Sequence, residues 1–199
     1  MKKMVLMVIL SVLVYAQAFT QSKPIMGYDQ VAWGATVAEV RRVYNIGSNV
    51  ALTENYNNDG PNFAGLTQTN VSDSISQRIF LFNSWNSNEF RLYRVWVAYK
   101  EGSVSLQNLT SGLTSRFGDR TDLNRASGNC RHAPNARDSV ETYIFGQYSP
   151  ELLVELVHTK CQEHVLDMNT FSFYNYNYFQ VCYTWKTYRD RYNARNIDF

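Results

Sequence analysis

Hydrophobic residues recur with helical spacing just after residue 36. Val37, Val40 and Tyr44 share one face of a helix, because residues three, four and seven positions apart lie on the same side. Thr36 precedes this pattern, and Glu39 lies three residues after Thr36, which is the spacing of a reciprocal capping box. The pattern therefore predicts an amphipathic helix that starts at Thr36.

A tight corner is predicted directly before this helix. Trp33 is large enough to fill the seam between a helix and a sheet, and Gly34 allows the backbone to turn sharply behind it. Gly47 is the residue expected to stop the helix. Trp33, Gly34, Thr36 and Glu39 are thus interpreted as structural residues.

Alternating and aromatic-rich segments predict strands in most of the remaining chain. Ile79 and Leu81 fall on one face of a strand and Phe80 and Phe82 on the other, so the middle of the sheet should be covered on both faces. The predicted strands are Val50–Tyr56, Phe63–Thr69, Ile75–Asn83, Phe90–Tyr99, Val140–Phe145, Leu152–Thr159 and Tyr178–Tyr188.

A second helix is predicted from Ser103, as its cap, to Phe117, with Gly118 ending it. Residues 119–136 are polar and are expected to connect this helix to the following strands. The order helix then strands thus occurs twice, in residues about 25–100 and 101–199, which suggests an internal duplication. The predicted fold class is α+β, with one antiparallel sheet and both helices packed on one of its faces.

The run from Gly27 to Val40 (GYDQVAWGATVAEV) resembles the opening of small exported bacterial proteins with a glycine, a Trp-Gly corner and a Thr/Ser-x-x-Glu-Val helix. It is also similar to the helix opening of the BamE/SmpA and β-lactamase-inhibitor-protein-like fold. The resemblance implies a helix packed on an antiparallel sheet, sometimes in two tandem copies. It also implies binding of other proteins rather than catalysis.

The first residues of the chain indicate export. Two lysines precede an apolar run over residues 4–14, and Ala16 and Ala18 are the small residues that a signal peptidase reads. The apolar run is shorter than the ~20 residues that a membrane-spanning helix needs. We therefore expect residues 1–18 to be a cleaved signal peptide and residues 19–199 to form a single periplasmic or secreted domain without a membrane span.

Charge balance narrows the class of partner. Cleavage would remove two lysines and no acid, so Lys and Arg would fall from 19 to 17, against 17 Asp and Glu. Nucleic acids and anionic membrane surfaces require a clustered excess of basic residues, which this chain lacks. The expected partner is therefore a protein or a cell-envelope component, and not nucleic acid.

A segment rich in aromatic residues and asparagine, residues 171–179, is the main candidate for a binding surface. Tyrosine offers a flat apolar face with a polar tip, which suits contact with a sugar or a protein. The predicted contact residues are Tyr174, Tyr176, Tyr178 and Trp96. The alternative is that these aromatic residues pack on the sheet and cover its edge.

Three cysteines allow at most one internal disulfide in an oxidising compartment. Strand alternation places Cys161 and Cys182 on the face opposite the core residues of their strands, where a bond between neighbouring strands could form. A Cys161–Cys182 disulfide is therefore one hypothesis. A bond that involves Cys130 and three unpaired cysteines are the alternatives.

Metal binding or catalysis by two of these cysteines and nearby histidines is the alternative to a role in binding a partner. Cys130 and His132, with Cys161 and His164, have spacings that could supply four zinc ligands or a cysteine nucleophile with a base. His158 instead falls on the core side of its strand and is predicted to be a hydrogen-bonded interior side chain.

No glycine-rich phosphate loop, nucleophile elbow or zinc-protease helix is present in the sequence. The leading prediction is thus a non-catalytic binding module without a cofactor. A small metal-binding protein or hydrolase is the alternative.

Overall fold

The protein is mostly β-structure. The computed structural model describes residues 27–56, 61–84, 89–130, 133–146, 151–167 and 170–186, with the side chains of 127–138 and 161–176 outside that description. The elements are β1 (Gly27–Tyr28), β2 (Val31–Ala32), α1 (Val37–Val43), β3 (Leu52–Glu54), β4 (Phe63–Thr69), β5 (Ile75–Asn83), β6 (Arg91–Tyr99), α2 (Leu106–Phe117), β7 (Asp122–Cys130), β8 (Ala133–Phe145), β9 (Leu152–Asp167) and β10 (Thr170–Trp185).

Eight of the strands form one antiparallel sheet in the order β3-β4-β5-β6-β10-β9-β8-β7, and β1 pairs with β2 in a separate hairpin. Each helix is followed by a four-stranded meander, and the two meanders meet where β6 pairs with β10. The expected antiparallel sheet is confirmed. The suggested duplication of the sequence stays a prediction.

The predicted α+β class is wrong, because the sheet dominates the structure. α1 has only seven residues and α2 twelve, and each contributes a single buried residue, Val40 and Leu113. Residues 119–136, predicted to be a connection, instead contain β7 and the start of β8. Backbone groups pair in a ladder whatever the side chains are, so polar residues did not prevent a strand here.

One row of cross-strand partners runs through the core from β3 to β8. Each member lies opposite the next, on the sheet face that packs in the main core together with Val40 and Leu113. We call this side the inner face and the opposite side the outer face. The row consists of Leu52, Leu66, Phe80, Val95, Tyr183, Val154 and Phe145.

The middle of the sheet is buried on both faces, as the sequence predicts. Phe80 and Phe82 are fully buried on the inner face. Ile79 and Leu81, which alternate with them along β5, are 7% and 3% exposed on the outer face. The strand pattern therefore identified a central strand correctly.

The reciprocal cap predicted for α1 is confirmed. The Glu39 backbone N–H donates to Thr36 Oγ1 over 3.2 Å, and the Thr36 N–H donates to Glu39 Oε2 over 2.7 Å. These hydrogen bonds hold the pKa of Glu39 below its ordinary value. The helix ends at Val43, and not at Gly47, because Asn45 adopts a left-handed backbone conformation with φ of 51°.

The corner before α1 joins the helix to the sheet. Gly34 has φ of +81°, which favours glycine, and its N–H donates to the Leu92 carbonyl of β6 over 2.8 Å. The Leu92 N–H returns a bond to the Ala35 carbonyl over 2.8 Å. Trp33 lies in the main core, as predicted for a residue that fills the seam. Two backbone bonds therefore fix where α1 starts against β6.

α2 begins two residues later than the sequence predicts. Ser105 is its cap and accepts from the Asn108 N–H over 3.1 Å, whereas Ser103 donates its hydroxyl hydrogen to the Lys100 carbonyl. Both serines suit a helix start, and the backbone turn at residues 100–103 decides between them. Gly118 caps the other end with φ of 85°, as predicted.

Within the described ranges, no helix is both long and apolar enough to cross a bilayer. The predicted signal peptide, residues 1–18, lies outside those ranges.

Replacing Thr36 with alanine should lower the free energy of unfolding by about 1 kcal/mol, because it removes the oxygen that accepts from Glu39. Thr36→Ser keeps that oxygen and should retain most of the stability. Urea denaturation would measure both variants. Ser111→Ala, at an exposed position of α2, is the control and should change little. Equal stability of Thr36→Ala and the native protein would contradict the role given to this cap.

Candidate outer-face binding site

The outer face carries several aromatic rings. Trp96 of β6 lies directly opposite Cys182 of β10 and is partly buried. Along the same row the face mixes apolar, hydroxyl and acidic side chains. The row consists of Thr67, Ile79, Trp96, Cys182, Glu155, Ile144 and Asp122.

The backbone register puts the positions of the predicted tyrosines on the same side of the sheet as Trp96. Positions 174, 176 and 178 share the parity of Cys182 in β10, and Cys182 lies opposite Trp96. Tyr178 faces Thr159 in the register and is partly buried, while positions 174 and 176 face residues 163 and 161 of β9. The structure therefore brings all four predicted contact positions to one face.

Two further rings extend this surface toward β4, and sequence reasoning did not identify them as contact residues. The register shifts between Leu81 and Phe82 of β5, which leaves Tyr93 as an extra residue in β6. The Tyr93 ring meets the Phe63 ring edge-on, with centroids 6.0 Å apart. A bulge depends on strand pairing, so it could not be read from the alternation of β6 alone.

Arg94 links this aromatic surface to β10. Its Nε–H donates to Thr184 Oγ1 over 3.0 Å, and its guanidinium lies 5.8 Å from the centre of the Tyr93 ring. Thr184 is fully buried, so this bond satisfies a polar group inside the sheet. Arg94 is consequently held in place as a fixed positive charge on the outer face.

A glycine allows one more ring to lie close to the sheet. Gly65 of β4 is on the outer-face side of its strand, opposite Leu81. A side chain at this position would overlap the ring of Tyr56, which packs directly against the Gly65 backbone. Glycine is therefore required here for close approach of the ring.

The structure does not join Cys161 and Cys182. Cys182 pairs with Glu155, and Cys161 lies six residues further along β9. Six residues of strand span roughly 20 Å, whereas disulfide-bonded Cα atoms lie about 4–7 Å apart. Cys182 is a free, buried cysteine, and burial raises the pKa of its thiol to about 11.

Cys182 should resist alkylation in the folded protein at pH 8. Its raised pKa leaves only about one thiol in a thousand ionised, and its side chain is 7% exposed. Iodoacetamide labelling, followed by mass spectrometry of the peptide that contains residue 182, should show modification only after unfolding in urea. Rapid labelling of this peptide in native buffer would show that the thiol is accessible.

The predicted metal ligands do not give a describable site. Position 130 ends β7, and positions 161 and 164 lie in β9 opposite 176 and 173, but His132 is outside the described residues. Among the side chains that the structure does describe, no group of three or more could hold a metal ion. The metal or hydrolase hypothesis on these four residues stays a prediction.

His158 is an interior side chain with a hydrogen bond, as predicted. It is 4% exposed, its Nε2 lies 3.1 Å from Asn177 Oδ1, and its ring stacks on Phe179 at 4.5 Å. Its Nδ1 lies 3.8 Å from Glu141 Oε2 and has no hydrogen-bond partner in the described structure.

Glu141 is the centre of a polar cluster that periodicity could not reveal. Arg125 Nε donates to its Oε1 over 3.2 Å, and Tyr143 Oη and Lys160 Nζ donate to its Oε2 over 3.0 and 3.3 Å. The bonds from Arg125 and Tyr143 lower the pKa of Glu141 to about 2. These residues come from three strands, so only the register groups them.

Glu141→Gln should destabilise the protein at pH 7 but not near pH 2. The pKa of Glu141 is lower in the folded protein than the ordinary 4.5, so its contribution is present above pH 4.5 and is lost as the pH falls through about 2. Arg125 and Lys160 are 71% and 50% exposed, so water weakens their attraction to Glu141. We therefore expect the free energy of unfolding at pH 7 to fall by only roughly 1–2 kcal/mol.

Urea denaturation of Glu141→Gln at several pH values would measure this difference. Glu54→Gln, which makes the same substitution at an exposed position of β3, is the matched control. A stability loss that is the same at pH 7 and pH 2 would contradict the ionic role of Glu141.

No protein-family model matches the sequence, and no curated protein or solved structure is significantly similar to it.

Proposed function

We propose that this protein is an exported, non-catalytic binding module that holds a protein partner on the outer face of its sheet. One observation carries the proposal. The register of β6 and β10 puts Trp96 on the same face as positions 174, 176 and 178, although 78 residues separate Trp96 from Tyr174 in the chain.

The size and composition of this surface suit a protein partner. From position 174 to 182, β10 extends about 26 Å, at roughly 3.3 Å per residue. A typical interface buries about 800 Å² on each partner and is enriched in Tyr, Trp and Arg. Trp96, Tyr93 and Arg94 lie at one end of this strip and the β10 tyrosine positions extend to the other.

The tyrosine positions lie where β10 extends past β6. The pairing of β6 with β10 ends at Ala98 and Gln180, whereas the pairing of β9 with β10 continues to Asp167 and Thr170. The β9–β10 hairpin therefore projects beyond the neighbouring strand by about ten residues. A projecting hairpin can contact a partner without disturbing the main core.

The N-terminal pattern and the charge balance support the remaining parts of the proposal. The apolar run and small residues before position 19 are typical of a signal peptide, which favours a periplasmic or secreted location. Equal numbers of acids and bases after cleavage favour a neutral protein surface over nucleic acid. The likeness of residues 27–40 to small exported binding proteins points the same way.

A photo-crosslinking amino acid at Gln180 should capture a protein partner when the chain is produced in its native host. Gln180 is exposed and lies on the outer face between Trp96 and Tyr178. The same probe at Gln107, an exposed residue of α2, is the control. Discrete adducts at 180 and none at 107 are expected, whereas identical adducts or none at both positions would contradict the proposal.

Once a partner has been captured, Trp96→Ala should weaken binding by about 30-fold or more, as is usual when a well-packed aromatic contact is truncated. Trp96→Phe should weaken it less, because it keeps an aromatic ring, and circular dichroism would verify the fold of both variants. Isothermal titration calorimetry would measure the affinities. Unchanged affinity of Trp96→Ala would place the contact elsewhere.

A further inference from the structure

The inner face contains a guanidinium that forms no ion pair with any described residue. Arg78 lies in β5 opposite Gln68 of β4 and Val97 of β6, and its side chain is partly buried. Its Nε is fully buried and has no hydrogen-bond partner, and no described carboxylate forms an ion pair with it. Gln68 Oε1, on the neighbouring strand, is also buried without a partner.

Aromatic rings surround this guanidinium. Its Cζ lies 4.8 Å from the centre of the Tyr44 ring, 5.7 Å from that of Tyr28 and 6.0 Å from that of Phe80. Such ring faces stabilise a cation, but they accept no conventional hydrogen bonds from its N–H groups. The rings therefore cover the faces of the guanidinium and do not neutralise its charge.

The hydroxyl groups of this cluster are neutral. Burial raises the pKa of Tyr28, Tyr44 and Tyr99, while the positive charge of Arg78 acts in the opposite direction on each. A hydrogen bond from Arg78 to the Tyr28 hydroxyl also lowers the pKa of Tyr28, but a neutral hydroxyl does not balance the charge of the guanidinium. Asp29 is an acid beside this cluster, and its Oδ2 lies 3.5 Å from Tyr44 Oη. Asp29 is exposed and contacts the tyrosine rather than the arginine.

A partly buried charge is costly unless an opposite charge or hydrogen bonds compensate it. The planar guanidinium is suited to bind a carboxylate or phosphate through two parallel N–H donors. We propose that Arg78 binds an oxyanion carried by an apolar molecule, at a site separate from the outer face.

The rings beside the guanidinium indicate that the ligand has an apolar part as well as an oxyanion. The Tyr28 ring contacts the Tyr183 ring at 5.0 Å, and the Tyr183 ring contacts Phe117 of α2 at 6.0 Å. All three side chains are partly buried, so they form a continuous aromatic surface that leads away from Arg78. A free inorganic anion would leave this surface unused, whereas a carboxylate attached to a ring or chain would cover it.

Benzoate is a suitable probe, with acetate as the carboxylate that lacks an apolar body. In ¹H–¹⁵N spectra of the full protein, the Arg78 Nε–H resonance is assigned by its loss in Arg78→Lys. Benzoate should shift this resonance saturably, with a dissociation constant on the order of 1 mM. Acetate should bind several-fold more weakly. Sodium chloride keeps the ionic strength constant throughout.

The Arg94 Nε–H resonance is the internal control, because Arg94 is already bonded to Thr184 on the outer face and should not respond. Arg78→Lys keeps the charge but loses the paired donors, so tyrosine ring resonances should report benzoate binding about tenfold weaker in it. If this variant does not fold, the titrations of the native protein with benzoate and acetate still test whether the site binds an oxyanion with an apolar body.

Three results would overturn the proposal. The first is the absence of a saturable shift with benzoate in the native protein. The second is equal affinity for benzoate and acetate, which would remove the apolar part of the ligand class. The third is a shift of the Arg78 resonance in Asp29→Asn without added anion, which would identify Asp29 as the counter-ion in solution.

Discussion

The pairing of β6 with β10 is the constraint on which both faces of the sheet depend. It joins the two four-stranded meanders and places Val181 opposite Val97 and Cys182 opposite Trp96. A slip of one residue would move every β10 side chain to the other face, because strand side chains alternate with a period of two. Both the main core and the outer-face aromatic surface therefore depend on this one register.

The two faces use aromatic residues in different ways. On the inner face, rings fill the core and surround the positive charge of Arg78. On the outer face, Trp96 and Tyr93 lie above the backbone of the sheet and are only partly buried. The aromatic residues of the chain are thus divided between the two faces of the sheet and do not all belong to one large core.

Local features were predictable from the sequence, and features that depend on pairing were not. The cap formed by Thr36 and Glu39 involves residues three apart, so their spacing was sufficient to identify it. The burial of both faces of β5 was also visible, because four consecutive residues are apolar. β7 was missed because its polar residues pair through the backbone, which leaves no hydrophobic pattern.

The candidate sites show the same division. The tyrosines of β10 were predicted to be contact residues from composition, but only the order and register of the strands put their positions on the same face as Trp96. Arg78 gave no signal, since one arginine in an apolar strand resembles an exposed residue until its neighbours on β1 and α1 are known. The fold class was wrong for a related reason: helix caps are conspicuous in a sequence, and long polar strands are not.

The position of β10 also bears on how the chain assembles. It is the last described strand along the chain, yet it lies in the middle of the sheet, between β6 and β9. Until a ribosome has released this segment, the β6 side of the first meander has no neighbour and can pair with other chains. Such distant contacts close slowly, so folding should finish late, and a chain that stays unfolded until late is suited to transport before it folds.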